Sequence, residues 1–352
     1  MATRGLLTVA LMIATPGTGW GGMEKHTADL ANALAARGHT VHVLAHPAYS
    51  KRFPEPVLFH SQPFQLGRRN LWLRYRLRKT LRALKPDIIH AQGNKAASLT
   101  STVERHGRIT VGTLHGTKRS HKAFDRLDGV IGVSREIINS TSHPNARLIF
   151  NGMLPPEDAN LDDRITPEIP VPTERPLLLA AGRLEQVKQF DRLIQAWVKA
   201  DWDGKLVILG EGGQQARLTA LVRELGAEDR IFLPGHEPRV FPWLKAATAC
   251  IISSSREGFP YIMVEALMAG CPVLSTPVSG VKDFLPQQFI STSDGVDDIA
   301  RLIRNALADT DSLADLQSES FRQARAQLSL ATMVSKTEDF YRELLASMPA
   351  RH

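Results

Sequence analysis

Two glutamates eight residues apart, Glu257 and Glu265, bracket a turn that could do chemistry. The stretch Ser253-Ser254-Ser255-Arg256-Glu257-Gly258-Phe259-Pro260-Tyr261 runs on into Ile262-Met263-Val264-Glu265-Ala266. The pattern predicts a buried strand, a Glu-Gly-Phe-Pro turn and a helix. Pro260 is expected in the first helical turn, where its missing N–H is not needed. The free amides of that turn would face an anion, helped by the helix dipole. Upstream, Gly182-Arg183-Leu184-Glu185-Gln186-Val187-Lys188 follows another strand pattern, so Arg183 and Lys188 leave one strand end together. Gly210-Glu211-Gly212-Gly213 adds backbone donors at a third strand end. Carboxylates hold hydroxyls, and fixed cations lower the barrier where a departing diphosphate gathers negative charge. Taken singly, each residue also has a plain structural explanation: Glu257 as a helix-dipole partner, Glu265 as a solvated helix residue, Arg183 and Lys188 as an exposed basic pair.

A second candidate lies near the start. Gly17-Thr18-Gly19-Trp20-Gly21-Gly22 matches G-x-G-x-x-G between a strand and a helix pattern, the context in which backbone N–H groups approach a phosphate. A dinucleotide-dependent dehydrogenase would also need an acidic residue about 20 positions on to hold the ribose. The second strand ends instead in Val43-Leu44-Ala45-His46-Pro47, which argues against NAD. A tight turn required only for packing is the simpler alternative.

The elements that must position these groups alternate regularly. Apolar runs at 6–14, 40–46, 87–90, 110–115 and 129–134 read as buried parallel strands, with helical patterns at 24–37 and 71–84 between them. Prolines 155, 156, 167, 170, 172 and 176 interrupt the alternation, and proline removes a backbone donor and fixes φ. An interdomain linker is therefore expected at 154–176. Strand patterns resume at 177–181, 205–209, 230–233, 250–253 and 272–275, and 333–348 is an amphipathic helix. This predicts two Rossmann-like, doubly wound α/β domains facing across a cleft, 1–165 and 166–332, with a C-terminal helix at 333–352 joined to the first. The 352 residues fit two domains. Two cysteines cannot staple a chain of this length, and the apolar run at 6–14 is too short to span a bilayer. A cytoplasmic, soluble protein is expected.

The net charge of +7 is uneven: residues 1–165 carry 23 Lys/Arg against 12 Asp/Glu, the remainder 20 against 24. The first half should therefore meet something anionic, whether nucleic acid, a phosphorylated glycan or a membrane surface. Arg68, Arg69, Arg74, Arg76, Arg78, Lys79, Arg82 and Lys85 crowd one helical region with Trp72 and Tyr75. Leu73, Leu77, Leu81 and Leu84 form its core stripe, beside a basic stripe that either meets anionic head groups or a glycan, or is simply solvated. A nucleic-acid-binding protein is the non-enzymatic alternative, but helix-turn-helix, RRM and zinc spacings are missing and aromatics make up only 6%.

Taken together, G-R-L-x-x-x-K, G-E-G-G and E-G-F-P-x-x-x-x-E-A, with Gly270-Cys271-Pro272-Val273 behind them, resemble the retaining glycosyltransferases of family 4, which have the GT-B fold. Gly21-Gly22-Met23-Glu24, Lys85-Pro86-Asp87-Ile88-Ile89-His90, Leu114-His115-Gly116, Gly132-Val133-Ser134 and Phe150-Asn151-Gly152 extend the likeness over essentially the whole chain. The resemblance implies a nucleotide-sugar donor, a UDP-sugar above all. Arg183 and Lys188 would bind its diphosphate, Glu257 its sugar hydroxyls with the amides after Gly258 (Phe259, Pro260 and Tyr261 forming the turn), and Glu265 its ribose. Gly210 would lie in the same layer. Gly21 and Gly22 would approach the phosphate or the reacting sugar, and His115 would sit near the donor sugar. It further implies retention of configuration, no metal and no cofactor. The acceptor would be a glycan or lipid-linked glycan, as in lipopolysaccharide core synthesis, with Arg68, Arg69, Arg74 and Arg78 on the acceptor or inner-membrane side. Asp283 stands where many such relatives carry Glu. Asp201-Trp202-Asp203 precedes a strand rather than ending one and reads as a turn.

Overall fold

A computed structural model describes residues 5–102, 108–117, 120–154 and 176–347. The linker expected at 154–176, and with it the expected boundary at 165/166, falls almost wholly outside the described residues. The chain forms two compact units: residues up to Gly152 together with those from Leu330 onward, and Met153 to Ser329.

The first unit is built on a seven-stranded parallel sheet. Its strands are β1 (Thr8–Ile13), β2 (Thr40–Ala45), β3 (Leu58–Ser61), β4 (Ile88–Gln92), β5 (Ile109–Leu114), β6 (Gly129–Gly132) and β7 (Ala146–Leu148), in the order β3-β2-β1-β4-β5-β6-β7. Successive residues of β1 point to opposite faces, and Val9 through Ile13 are all inaccessible; both faces are covered, so the strand is apolar throughout. The strand order reverses between β1 and β4, where Ile13 pairs with Gln92. The two edge strands were not expected. Leu58 and Arg147 are exposed on them, and a short strand with one wet side leaves no apolar run to find.

The helix Leu330–Ala346 packs on the helix Gly22–Ala36 and so returns to the first unit. It buries Met333, Val334, Phe340, Tyr341 and Leu344. Buried Glu338 accepts from Nε2 of His39 at 2.5 Å and also pairs with Arg37. Burial pushes the Glu338 carboxyl up, but the hydrogen bonds and charges of His39 and Arg37 outweigh it and hold it below its ordinary 4.5.

The second unit holds β8 (Leu177–Ala181), β9 (Lys205–Leu209), β10 (Ile231–Gly235), β11 (Ala249–Ile252) and β12 (Val273–Ser275), all parallel, in the order β10-β9-β8-β11-β12. The reversal here lies between β8 and β11. The helix Phe190–Ala200 drives Leu193, Ile194 and Trp197 into the core on one face. Asp201 ends that helix in a left-handed conformation and Trp202 packs edge-on against Trp197 at 5.4 Å, so the Asp201-Trp202-Asp203 stretch is a turn.

Removing one partner from a buried ion pair strands the others. Glu338→Ala is expected to cost the first unit about 3 kcal/mol, read as a lowered midpoint in urea. A carboxyl with a depressed pKa stabilises the fold above pH 4.5 and ceases to do so as the pH falls through its lower folded value. Glu338→Gln should therefore lose less stability than the wild type on acidification over that interval.

Candidate active site

In an open parallel sheet, ligands bind beyond the carboxyl ends of the strands at the reversal of strand order. In the second unit that place is shared by the loops after β8 and β11, which carry Arg183 and Lys188, and Glu257. Lys188 Nζ donates to Glu257 Oε1 at 2.6 Å, with both side chains about four-fifths buried (21% and 17% exposed). The same oxygen accepts from Ser254 Oγ at 2.7 Å. The backbone around the lysine is fixed as well: Ser253 Oγ donates to the Lys188 carbonyl at 2.7 Å, and both the amide and the Oγ of Ser255 donate to the Val187 carbonyl. Buried Thr276 donates to the carbonyl of Ser254 at 2.6 Å. The three serines and Thr276 were not expected as site residues, although the serine run stood directly before Arg256-Glu257 in the sequence. Among the described residues Glu257 Oε2 and two of the three Lys188 hydrogens take no further partner.

Lys188 lies across Gly182, where a Cβ would stand 3.2 Å from its Cε. Gly210 is tighter still. Its φ of +140° suits glycine, and a Cβ there would fall 1.9 Å from the carbonyl oxygen of Gly182. The loops after β8 and β9 are stitched together by Leu184 N donating to Glu211 O and Gln214 N donating to Leu184 O, at 2.8 and 2.9 Å. Arg183 is exposed and its guanidinium takes no ion pair among the described residues.

Pro260 sits one position earlier than expected. It is the N-cap, in extended conformation, and the helix starts at Tyr261 (Tyr261–Ala269) with no side chain capping it. The first amides therefore have no acceptor from the helix. Phe259 is buried and packs edge-to-face on Phe284 at 5.8 Å, and a Cβ on Gly280 would meet its ring at 2.5 Å. The loop containing Asp283 thus packs against the turn after Gly258. Glu265 is half-buried on the second turn of the helix. Burial first, then the neighbouring Cys271 and the Glu265 charge, push the Cys250 thiol well up.

In the first unit the glycine loop differs from expectation. The Gly21 N–H is held by Glu24 Oε2 at 3.1 Å rather than open to a phosphate, and Gly22 begins the helix. The loop rests on Tyr49, whose hydroxyl donates to the Gly19 carbonyl at 2.7 Å and whose ring meets Trp20 edge-on at 5.5 Å. At the β1/β4 reversal is a pocket of about 280 Å³ lined by Thr15, Met23, Gln92, Asn94, Lys95 and His115 among others. His115 Nε2 lies 2.7 Å from Gln92 Oε1, and the ring meets His26 edge-on at 4.9 Å. Burial, reinforced by His26 and His90, holds the His115 pKa well below its ordinary value. The same surroundings disfavour the imidazolium and leave the ring hydrogen-bonded to Gln92.

The basic helix (Leu71–Leu84) buries Leu73, Leu77 and Leu81 but leaves Leu84 half-buried. Arg74 and Arg78, expected on an acceptor or membrane face, instead donate to Thr102, at 3.4 Å to its Oγ1 and 2.8 Å to its carbonyl. Arg68 and Arg69 are exposed. Beside them Leu71, Trp72 and Tyr75 expose 76%, 55% and 65% of their surface, and Arg76 lies over the Trp72 ring. Among the described residues no trio of His, Cys, Asp or Glu is placed to hold a metal, and no helix is long and apolar enough to cross a membrane.

The second unit thus carries a lysine–glutamate pair, seated by serines, at its strand-order reversal. Residues 137–323 match the family model of glycosyl transferases group 1, and residues 20–152 match that of glycosyltransferase family 4. The first of these covers more than half of the chain, which belongs to the glycosyl transferases group 1 family. It is 24% identical over 349 residues to the lipopolysaccharide core biosynthesis glycosyltransferase LpsE of Rhizobium meliloti, covering 94% of this chain and 97% of that one. Among solved structures, a glycosyltransferase from Rickettsia africae has a TM-score of 0.80 at 17% identity, covering 97% of this chain and all of that one. HepE of Anabaena, solved with UDP, has a TM-score of 0.76 at 19% identity, covering 96% and 100%. The two parallel α/β units are of the GT-B class, and the dehydrogenase and nucleic-acid-binding alternatives are set aside.

Gly210→Ala tests how tightly the loops are joined. Its Cβ has nowhere to go but into the Gly182 carbonyl, so the Lys188 loop must shift. The variant should unfold about 2 kcal/mol more easily, read as a lowered midpoint in urea.

Proposed function

We propose that this glycosyltransferase moves a sugar from a UDP-sugar, with retention and without a metal ion, to a lipid-linked glycan such as a lipopolysaccharide core, at the cytoplasmic face of the membrane. The observation that carries the chemistry is the serine-seated Lys188–Glu257 pair. Lys188, with Arg183, neutralises the diphosphate as it departs, and the uncapped helix amides beyond Gly258 add donors. Glu257 Oε2 accepts from the donor sugar, and Glu265 holds the ribose. Because Glu257 Oε1 is tied to both Lys188 and Ser254, this carboxylate is a fixed acceptor of hydrogen bonds rather than a mobile nucleophile. Retention then follows a front-face route: the bond from C1 to the diphosphate breaks, the acceptor oxygen bonds to C1 on the same face, and its proton passes to the departing phosphate oxygen. UDP as the donor nucleotide is supported by HepE of Anabaena, whose structures hold UDP and UDP-glucose. The lipopolysaccharide acceptor is supported by the likeness to LpsE.

A hydrolysis screen over UDP- and GDP-sugars needs no acceptor and should show turnover with a UDP-sugar that EDTA does not reduce. A charge-assisted hydrogen bond contributes about 1.5–3 kcal/mol, so Lys188→Ala should slow turnover roughly 10- to 100-fold. Glu257→Gln should lose at least about tenfold on the same grounds, both variants remaining folded by circular dichroism though less stable than the wild type. Undiminished rates in both would remove the pair from the mechanism, and an inverted anomer in the product NMR spectrum would remove the front-face route.

The membrane side of the proposal rests on exposed Leu71, Trp72 and Tyr75 set among Arg68, Arg69, Arg76 and Lys79. Aromatic and aliphatic side chains enter the head-group layer while the cations meet anionic lipid. The protein should co-sediment with vesicles containing phosphatidylglycerol and be released by salt. Replacing Leu71, Trp72 and Tyr75 together by serine should abolish sedimentation and leave donor hydrolysis unchanged.

A further inference from the structure

Gln92 ends β4 and is 1% exposed. Its Oε1 lies 2.7 Å from Nε2 of His115, reached across the β4–β5 ladder, in which Gln92 is the register partner of Thr113. Its amide nitrogen is buried without a hydrogen-bond partner, although Gln92 lines the pocket beside His115. A buried donor left unsatisfied costs about 1–3 kcal/mol. A side chain serving only to fill this position would be more stable as an apolar residue of the same size. An amide oxygen only accepts, so the Nε2 of a neutral His115 carries the proton and Nδ1 keeps its lone pair. Nδ1 takes no partner among the described residues.

We propose that Gln92 is a positioning residue that fixes His115 as the Nε2–H tautomer, so that His115 Nδ1 accepts from a sugar hydroxyl in this pocket while the spare Gln92 amide hydrogens donate to an oxygen of the same sugar. The pocket thereby selects a neutral pair of sugar oxygens, one donating and one accepting. This rests on the reading of His115 as a sugar contact. The surroundings are consistent with a fixed neutral ring. The groups that face His115 are His26 from the first helix, His90 from within β4 and Lys95 from the pocket wall, whose ammonium donates to the Phe64 carbonyl. Burial lowers His26 to about 4 and His90 to about 3. His90 is itself held between Tyr341 and Thr113, at 2.6 and 2.7 Å. Among the described residues no carboxylate lines the pocket to favour the imidazolium.

Imidazole ¹⁵N NMR of the full chain, with the His115 signals assigned by their loss in His115→Gln, reads the tautomer without any activity. The wild type should show a protonated Nε2 and a bare Nδ1 throughout pH 6–8. Gln92→Leu should show a mixture of tautomers and a kcat at least tenfold lower. Gln92→Glu places a carboxylate against Nε2 and favours the imidazolium, which has no lone pair to offer. Its activity should therefore fail on acidification at a pH at least one unit higher than in the wild type and recover in alkali, a shift that a merely structural role would not produce. A wild-type ring protonated on Nδ1 overturns the proposal, as does an unmoved acid limb in Gln92→Glu. A fixed tautomer combined with full activity in Gln92→Leu would instead overturn the reading of His115 as a sugar contact.

Discussion

Parallel strands all release the chain at the same end, and where the order of connection reverses, two neighbouring loops must part and leave a hollow. That constraint governs both units. In the first, the reversal between β1 and β4 opens the pocket of Gln92 and His115. In the second, the reversal between β8 and β11 brings the loops of Lys188 and Glu257 side by side. Neither pair is close in sequence: 23 residues separate the first and 69 the second. The topology does what local sequence cannot, and the hydrogen bonds then hold the result in place.

The two hollows are electrostatically unlike. Around Lys188 and Glu257 the charges are partly accessible and balanced against each other. Around His115 burial first, and then the neighbouring His26 and His90, lowers the imidazole pKa.

The central strands were plain in the sequence because burial on both faces demands unbroken apolar runs, and 177–181 and 205–209 coincide with β8 and β9. The edge strands β3 and β7 were not, since half their surface is wet. Lys188 and Glu257 stood out because each follows a strand in a glycine-bearing loop. Ser253, Ser254 and Thr276 did not, because a hydroxyl that seats a neighbouring side chain looks like any loop hydroxyl until the partner is placed. Gly21 misled for the opposite reason: the spacing suited a phosphate, but Glu24, three residues on, is well placed to take the amide for itself. Arg74 and Arg78 read as a free basic stripe because Thr102, their acceptor, is more than twenty residues away.

The helix Leu330–Ala346 has a consequence for how the molecule comes into being. Its buried face covers the helix Gly22–Ala36, and Glu338 meets a residue 301 positions earlier. A chain emerging from the ribosome presents the amino-terminal sheet first, yet that sheet cannot close its apolar surface until the last helix has been synthesised. The unit from Met153 to Ser329 is continuous and can complete its own core earlier. The order of maturation thus runs against the order of translation.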